Sequence, residues 1–177
     1  MKMKSFTSLS ILIACIVIYT STQAQSGRQS RCSVIIDPSY NGKVGIYNSA
    51  FKLVKYLKHS ESKEEDDCLV FSIKGENDSM FFGTIGYAIA GSKQDGWIKK
   101  TKYIGLYSRA YNGDLLVYEL PDIKSKKTVI KEYLVDLLPV ISCRNGWVKV
   151  IIKLDNKTIS GWLPPEMQCD NPFTTCN

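Results

Sequence analysis

Apolar residues come in short runs rich in β-branched and aromatic types, and Asn-Gly, Asp-Gly and Gly-Ser pairs break those runs at close intervals. Punctuation of this kind suits many short strands joined by tight turns, since Gly and Asn accept the left-handed backbone that hairpin turns require. Helical periodicity is scarce, so the expected class is all-β. The clearest strand runs from Trp147 to Leu154. There Val148, Val150, Ile152 and Leu154 share one face and Trp147, Lys149, Ile151 and Lys153 the other, because side chains alternate along a pleated strand. The aliphatic face is the expected core. Asn145-Gly146 before this strand is the strongest hairpin signal in the chain, and Asp155-Asn156-Lys157 after it predicts a second turn, with Thr158 to Leu163 returning as the partner strand.

The pattern repeats. Trp147 and Trp162 are fifteen residues apart, as are Phe82 and Trp97, and each second Trp follows a Gly, in Gly161-Trp162-Leu163 and Gly96-Trp97-Ile98. An apolar strand ending in Tyr precedes each pair, Gly45-Ile46-Tyr47 in one half and Leu116-Val117-Tyr118 in the other. The polar segment from His59 to Asp67 supplies the length by which the two spacings differ. Two related units of about 65 residues follow, a size at which a small β-barrel holds together with modest help. The boundary falls between Lys102 and Asp114, in a segment whose tyrosines, Tyr103, Tyr107 and Tyr111, predict a fixed connection between the units.

The first residues read as a processing signal. A basic start at Lys2 and Lys4, an apolar run from Leu9 to Tyr19, and Thr22-Gln23-Ala24 make a signal peptide over 1–24, too short in its apolar part to remain as a membrane span. An alternative reading places Cys15 at a lipoprotein cleavage box, although the apolar run continues beyond it. Residues 25–42 are expected to be a lead-in, 43–102 and 114–166 the two units, 103–113 the connector and 167–177 a tail. Removal of Lys2 and Lys4 lowers the formal charge from +6 to +4, and the remaining charge is spread without a basic block, which argues against a nucleic-acid partner.

Export would favour disulfides among the cysteines that remain. Cys169 and Cys176 flank a turn at Asn171-Pro172 and are expected to pair locally; Cys32 with Cys68 is the candidate for the first half, and Cys143 is left over. No catalytic constellation is visible. The one histidine, His59, lies in a charged run rather than beside a nucleophile, and no Cys/His pair has metal-finger spacing. Glu64-Glu65-Asp66-Asp67 lacks the alternating ligands and central Gly of a calcium loop and reads as a solvated segment, so neither metal nor cofactor is expected.

Val117-Tyr118-Glu119-Leu120-Pro121, Leu138-Pro139-Val140-Ile141, Asn145-Gly146-Trp147-Val148-Lys149-Val150 and Gly161-Trp162-Leu163-Pro164, in that order, resemble the bacterial SH3-like (SH3b) domains of secreted proteins. The resemblance is strong from Asp114 to Glu166 and weak from Lys43 to Lys99, where Phe82 stands in the place of Trp147 and no Pro follows Tyr47. It implies two SH3-like β-barrels in tandem and a binding function directed at a peptide, a protein or a cell-envelope component, without catalysis. Tyr118, Trp147, Trp162 and Pro164 are the candidate ligand groove, with core packing of Trp162 as the competing role. A structural or inhibitory protein that acts on one protein partner is the alternative function.

Overall fold

The computed structural model describes residues 31–62, 67–89, 91–109, 113–132 and 134–170. The signal peptide with Cys15, the acidic residues Glu64 to Asp66, and Cys176 lie outside them. The described residues form thirteen strands: β1 (Cys32–Ile36), β2 (Val44–Tyr47), β3 (Leu53–Leu57), β4 (Leu69–Glu76), β5 (Met80–Tyr87), β6 (Gln94–Lys99), β7 (Ile104–Ser108), β8 (Leu115–Tyr118), β9 (Lys127–Ile130), β10 (Leu138–Arg144), β11 (Trp147–Leu154), β12 (Lys157–Leu163) and β13 (Gln168–Cys169). Two 3-10 turns, His59–Glu61 and Pro165–Met167, are the only helical segments described. The class is all-β, as the turn-punctuated sequence predicts.

Local chemistry explains the clearest elements. On β11, Val148, Val150 and Ile152 are fully buried while Trp147, Lys149 and Ile151 are half-buried on the opposite face, the alternation expected of this strand. Asn145 and Gly146 both adopt positive φ, 52° and 84°, so the β10–β11 turn has the left-handed backbone that matches the twist of its flanking strands. On the other side of the molecule β4 and β5 interleave Phe71, Ile73, Phe81 and Ile85 into the interior.

All pairings are antiparallel and join in one open sheet, in the order β3-β2-β6-β5-β4-β1-β7-β10-β11-β12-β8-β9, with β13 added on β7. The order is the same on either side of the central β1–β7 pair. Outward from β1 come β4, β5, β6, β2 and β3; outward from β7 come β10, β11, β12, β8 and β9. A single cluster of buried residues spans both sides, from Val34, Phe71 and Phe81 to Leu106, Val150 and Leu163. The sequence predicts two separately closed barrels. The hydrogen-bonded path is instead one sheet over one continuous core, because the segments read as lead-in, connector and tail supply β1, β7 and β13. Within the segment read as connector, Ile104 and Leu106 are buried and Tyr103 stacks on Tyr40 at 3.7 Å between ring centres, while Tyr111 lies outside the described residues.

The cysteines also pair differently from expectation. Cys32 on β1 is bonded to Cys143 on β10, with Cα atoms 6.1 Å apart, and Cys68 is a free, buried thiol. The first-half candidate, Cys32 with Cys68, is not formed; the strand order decides otherwise, because β1 and β10 both flank β7 and bring two distant residues together. Cys169 is disulfide-bonded. Its expected partner, Cys176, lies outside the described residues.

Candidate functional site

In each half a Gly-Trp dipeptide crosses the strand that ends in Tyr. A side chain on Gly161 would meet Val117 and the Tyr118 carbonyl, and one on Gly96 would meet Ile46 and the Tyr47 carbonyl, so both glycines exist to let the neighbouring strand come close. The Trp beside each Gly then lies directly opposite the Tyr, Trp162 against Tyr118 and Trp97 against Tyr47. This Tyr–Trp pair is the shared element of the two halves.

The pair is closed in the second half. Trp147 meets Tyr118 edge-on at 5.3 Å, the Arg144 guanidinium lies 5.7 Å from the Trp162 ring, and Lys127 lies 5.8 Å from the Tyr118 ring. Tyr118 and Trp162 are consequently only 5% and 6% exposed, and Pro164 is buried beside them. The four residues expected to form a groove are therefore placed at one end of the sheet, but Tyr118, Trp162 and Pro164 serve as packing and only Trp147 is half-exposed.

The first half is open. Tyr47 and Trp97 are half-buried, and Phe82 lies directly across from Trp97 with ring centres 5.3 Å apart. Phe51, from the β2–β3 turn, meets Trp97 edge-on at 5.3 Å while remaining 50% exposed. Next to these rings is a shallow cavity of about 160 Å³ lined by Ile46, Tyr47, Val54, Phe82 and Trp97. Lys99 lies 5.5 Å from the Tyr47 ring, and Asp95, hydrogen-bonded by Lys74 and Thr84, is held below the usual carboxylate range by those two partners.

Phe51 is unusual in its backbone as well as its exposure. Its φ is +55°, a left-handed conformation that bulky residues adopt rarely and at a cost of about 1–3 kcal/mol. The turn imposes it: the Asn48 side-chain oxygen accepts from the amides of Ala50 and Lys52, and the Asn48 carbonyl accepts from the amide of Phe51. Phe51 thus combines a left-handed backbone with a half-exposed ring set against Trp97.

His59 is better held than its charged surroundings suggest. Its Nδ1 accepts from the Leu69 amide at 3.4 Å, Tyr87 donates to the neighbouring Lys58 carbonyl, and its Nε2 is buried without a hydrogen-bond partner. Burial lowers its pKa against the opposing influence of the Asp37 backbone and the Asp37 and Asp67 carboxylates. Burial likewise raises the pKa of the adjacent Cys68 thiol, with the charges of Asp67 and Asp170 adding to the effect. A thiol shifted upward is a poor nucleophile. No group of three or more His, Cys, Asp or Glu suited to a metal ion occurs among the described residues.

A larger cavity, about 750 Å³, lies where the Lys100–Lys102 turn faces β10 and β11. Its interior is formed by Leu134, Leu138, Val140, Ile152 and Leu154, and its rim mixes lysines with Glu132, Asp136 and Asp155. No long apolar helix able to cross a membrane occurs among the described residues. No family model, curated protein or solved structure matches the chain.

Proposed function

We propose that the chain is an exported, non-catalytic binding module built of two SH3-like units fused along β1 and β7, and that the first unit presents the ligand surface. The equal strand order on the two sides of the β1–β7 pair supports the two-unit reading, as does the Gly-Trp dipeptide set against Tyr in each half. In the second half the 3-10 turn Pro165–Met167 sends the chain from β12 to β13, which pairs with β7, so the last strand of that half lies against its first. The Cys32–Cys143 disulfide is compatible with an oxidising, exported location.

One observation carries the binding role: the half-exposed aromatic cluster of Tyr47, Phe51, Phe82 and Trp97, with Phe51 held outward at positive φ. Rigid rings offer flat apolar area with little conformational entropy to lose on contact, and they serve a peptide or a cell-envelope component equally well. The test uses a displayed random-peptide library and soluble cell-wall fragments as probes against the wild type, Phe51→Gly and Trp147→Ala. Glycine relieves the left-handed strain, so Phe51→Gly folds at least as stably as the wild type but loses about tenfold in affinity, or more, for whatever the wild type selects. Trp147→Ala leaves that affinity within about twofold. Undiminished binding by Phe51→Gly, or loss confined to Trp147→Ala, removes the first unit from the role.

A further inference from the structure

β3 ends the sheet, and all of it but the half-buried Leu57, which packs on the core, is exposed. It pairs with β2 on one edge, no strand pairs with its other edge among the described residues, and Leu53, Val54, Lys55 and Tyr56 are all exposed. Such an edge carries unpaired backbone groups able to template another strand. Its side chains are apolar for an exposed element: Val54 is 60% and Tyr56 48% exposed, contiguous with Phe51.

Charge selects among possible occupants. From Lys43 to Lys58 the β2–β3 hairpin carries Lys43, Lys52, Lys55 and Lys58 and no acidic residue. None of the four forms an ion pair among the described residues, and Lys43 lies over the Tyr56 ring at 5.4 Å. The other end of the sheet differs: the β8–β9 hairpin pairs Lys126 with Glu119 at 3.1 Å and contains Asp122. Lysines on an edge strand commonly serve only to keep it from pairing with copies of itself. Here that same repulsion disfavours a second copy, while four exposed apolar positions are more than a protected edge needs.

We propose that β3 binds an acidic polypeptide in extended conformation, which adds to its free edge as a further strand with carboxylates facing the hairpin lysines. The proposal rests on the binding-module reading and names the partner class for that unit. The backbone edge supplies the affinity, the lysines the sign, and the exposed rings the pockets for alternate side chains.

The probe is the amidated, acetylated peptide Glu-Val-Glu-Tyr-Glu-Val-Glu, titrated into the full chain at low and at 0.5 M salt and followed by amide hydrogen exchange. Expected are slowed exchange confined to Leu53–Leu57, a roughly tenfold or greater weakening at high salt, and loss of binding by the Lys52→Glu/Lys55→Glu variant. Two control ligands test the mode: the same peptide N-methylated at alternate amides, and heparin. Equal binding by the N-methylated peptide shows a charge contact without strand addition and overturns the proposal; so does protection elsewhere, or tighter binding to heparin at the same lysines. A library hit sensitive to Phe51→Gly that leaves β3 unprotected would preserve the aromatic-surface reading and sink this one alone.

Discussion

The two Tyr–Trp pairs occupy equivalent places in the sheet, yet one is packing and the other is surface. Backbone geometry does not separate them: both tryptophans sit opposite their tyrosines, and both glycines admit the crossing strand. What separates them is the company on the neighbouring strand. Relative to the two tryptophans, Lys149 is opposite Trp162 where Phe82 is opposite Trp97, and Trp147 sits two residues earlier on its strand. Trp147 can therefore fold over Tyr118 and shut the second pair, with Arg144 closing the remaining side. In the first half the covering ring comes from Phe51 on a turn, and it leaves the pair half-open. The same strand arrangement thus carries a closed pair on one side, covered by an aromatic from a strand, and an open pair on the other, where the covering ring comes from a turn.

The largest effect expected is on the join between the halves. The Cys32–Cys143 bond closes a 111-residue separation, and loops of that order contribute about 4–5 kcal/mol through the unfolded chain's entropy. Cys32→Ser/Cys143→Ser should lower the unfolding midpoint sharply in a denaturant titration followed by both fluorescence and circular dichroism. If the two probes then report separate transitions, the halves are independent units joined by a bolt; one coincident transition makes them a single cooperative body.

Next comes the pair itself. Trp162→Ala removes a buried ring and should cost about 3–5 kcal/mol, whereas Trp97→Ala, at a half-exposed position, should cost clearly less, about 1–2 kcal/mol. Equal losses by chemical denaturation would erase the distinction between a closed and an open copy.

The smallest effect is a pH response confined to the first half, the side that holds the one histidine. His59 is neutral in the fold because burial lowers its pKa below the ordinary 6.5. The unfolded chain therefore takes up the proton first as pH falls. The stabilisation from neutral His59 is complete above about pH 6.5 and is lost progressively below it, down to the lowered folded value. Protection factors at Leu69 should fall between pH 7.5 and 5.5 relative to those on β11, and His59→Gln should flatten that difference. A decline of equal size on β11 would show that another group is responsible.

Much of this architecture was readable in advance. Alternation on β11, the Asn145-Gly146 turn and the Gly-Trp/Tyr correspondence are local signals, and local signals survive into the fold. The fifteen-residue spacing misled in one respect. It matched Phe82 with Trp147, whereas the register matches Phe82 with Lys149, because the β11–β12 connection is shorter than that between β5 and β6. The four residues expected to form a groove, Tyr118, Trp147, Trp162 and Pro164, lie on the closed side, where only Trp147 is half-exposed. Phe51 gave no signal at all, since positive φ at a phenylalanine is imposed by the Asn48 hydrogen bonds and not by its own preference. The Cys32–Cys143 bond was equally hidden: its partners meet only because β1 and β10 both reach β7, a non-local fact.

β7 is the strand that both halves share. Ile104–Ser108 hydrogen-bonds to β1 from the first half and to β10 and β13 from the second. Neither half can be excised, transplanted or replaced by recombination without tearing a seam out of the other. Substitutions at the exposed positions of the two free margins, β3 and β9, leave that seam untouched.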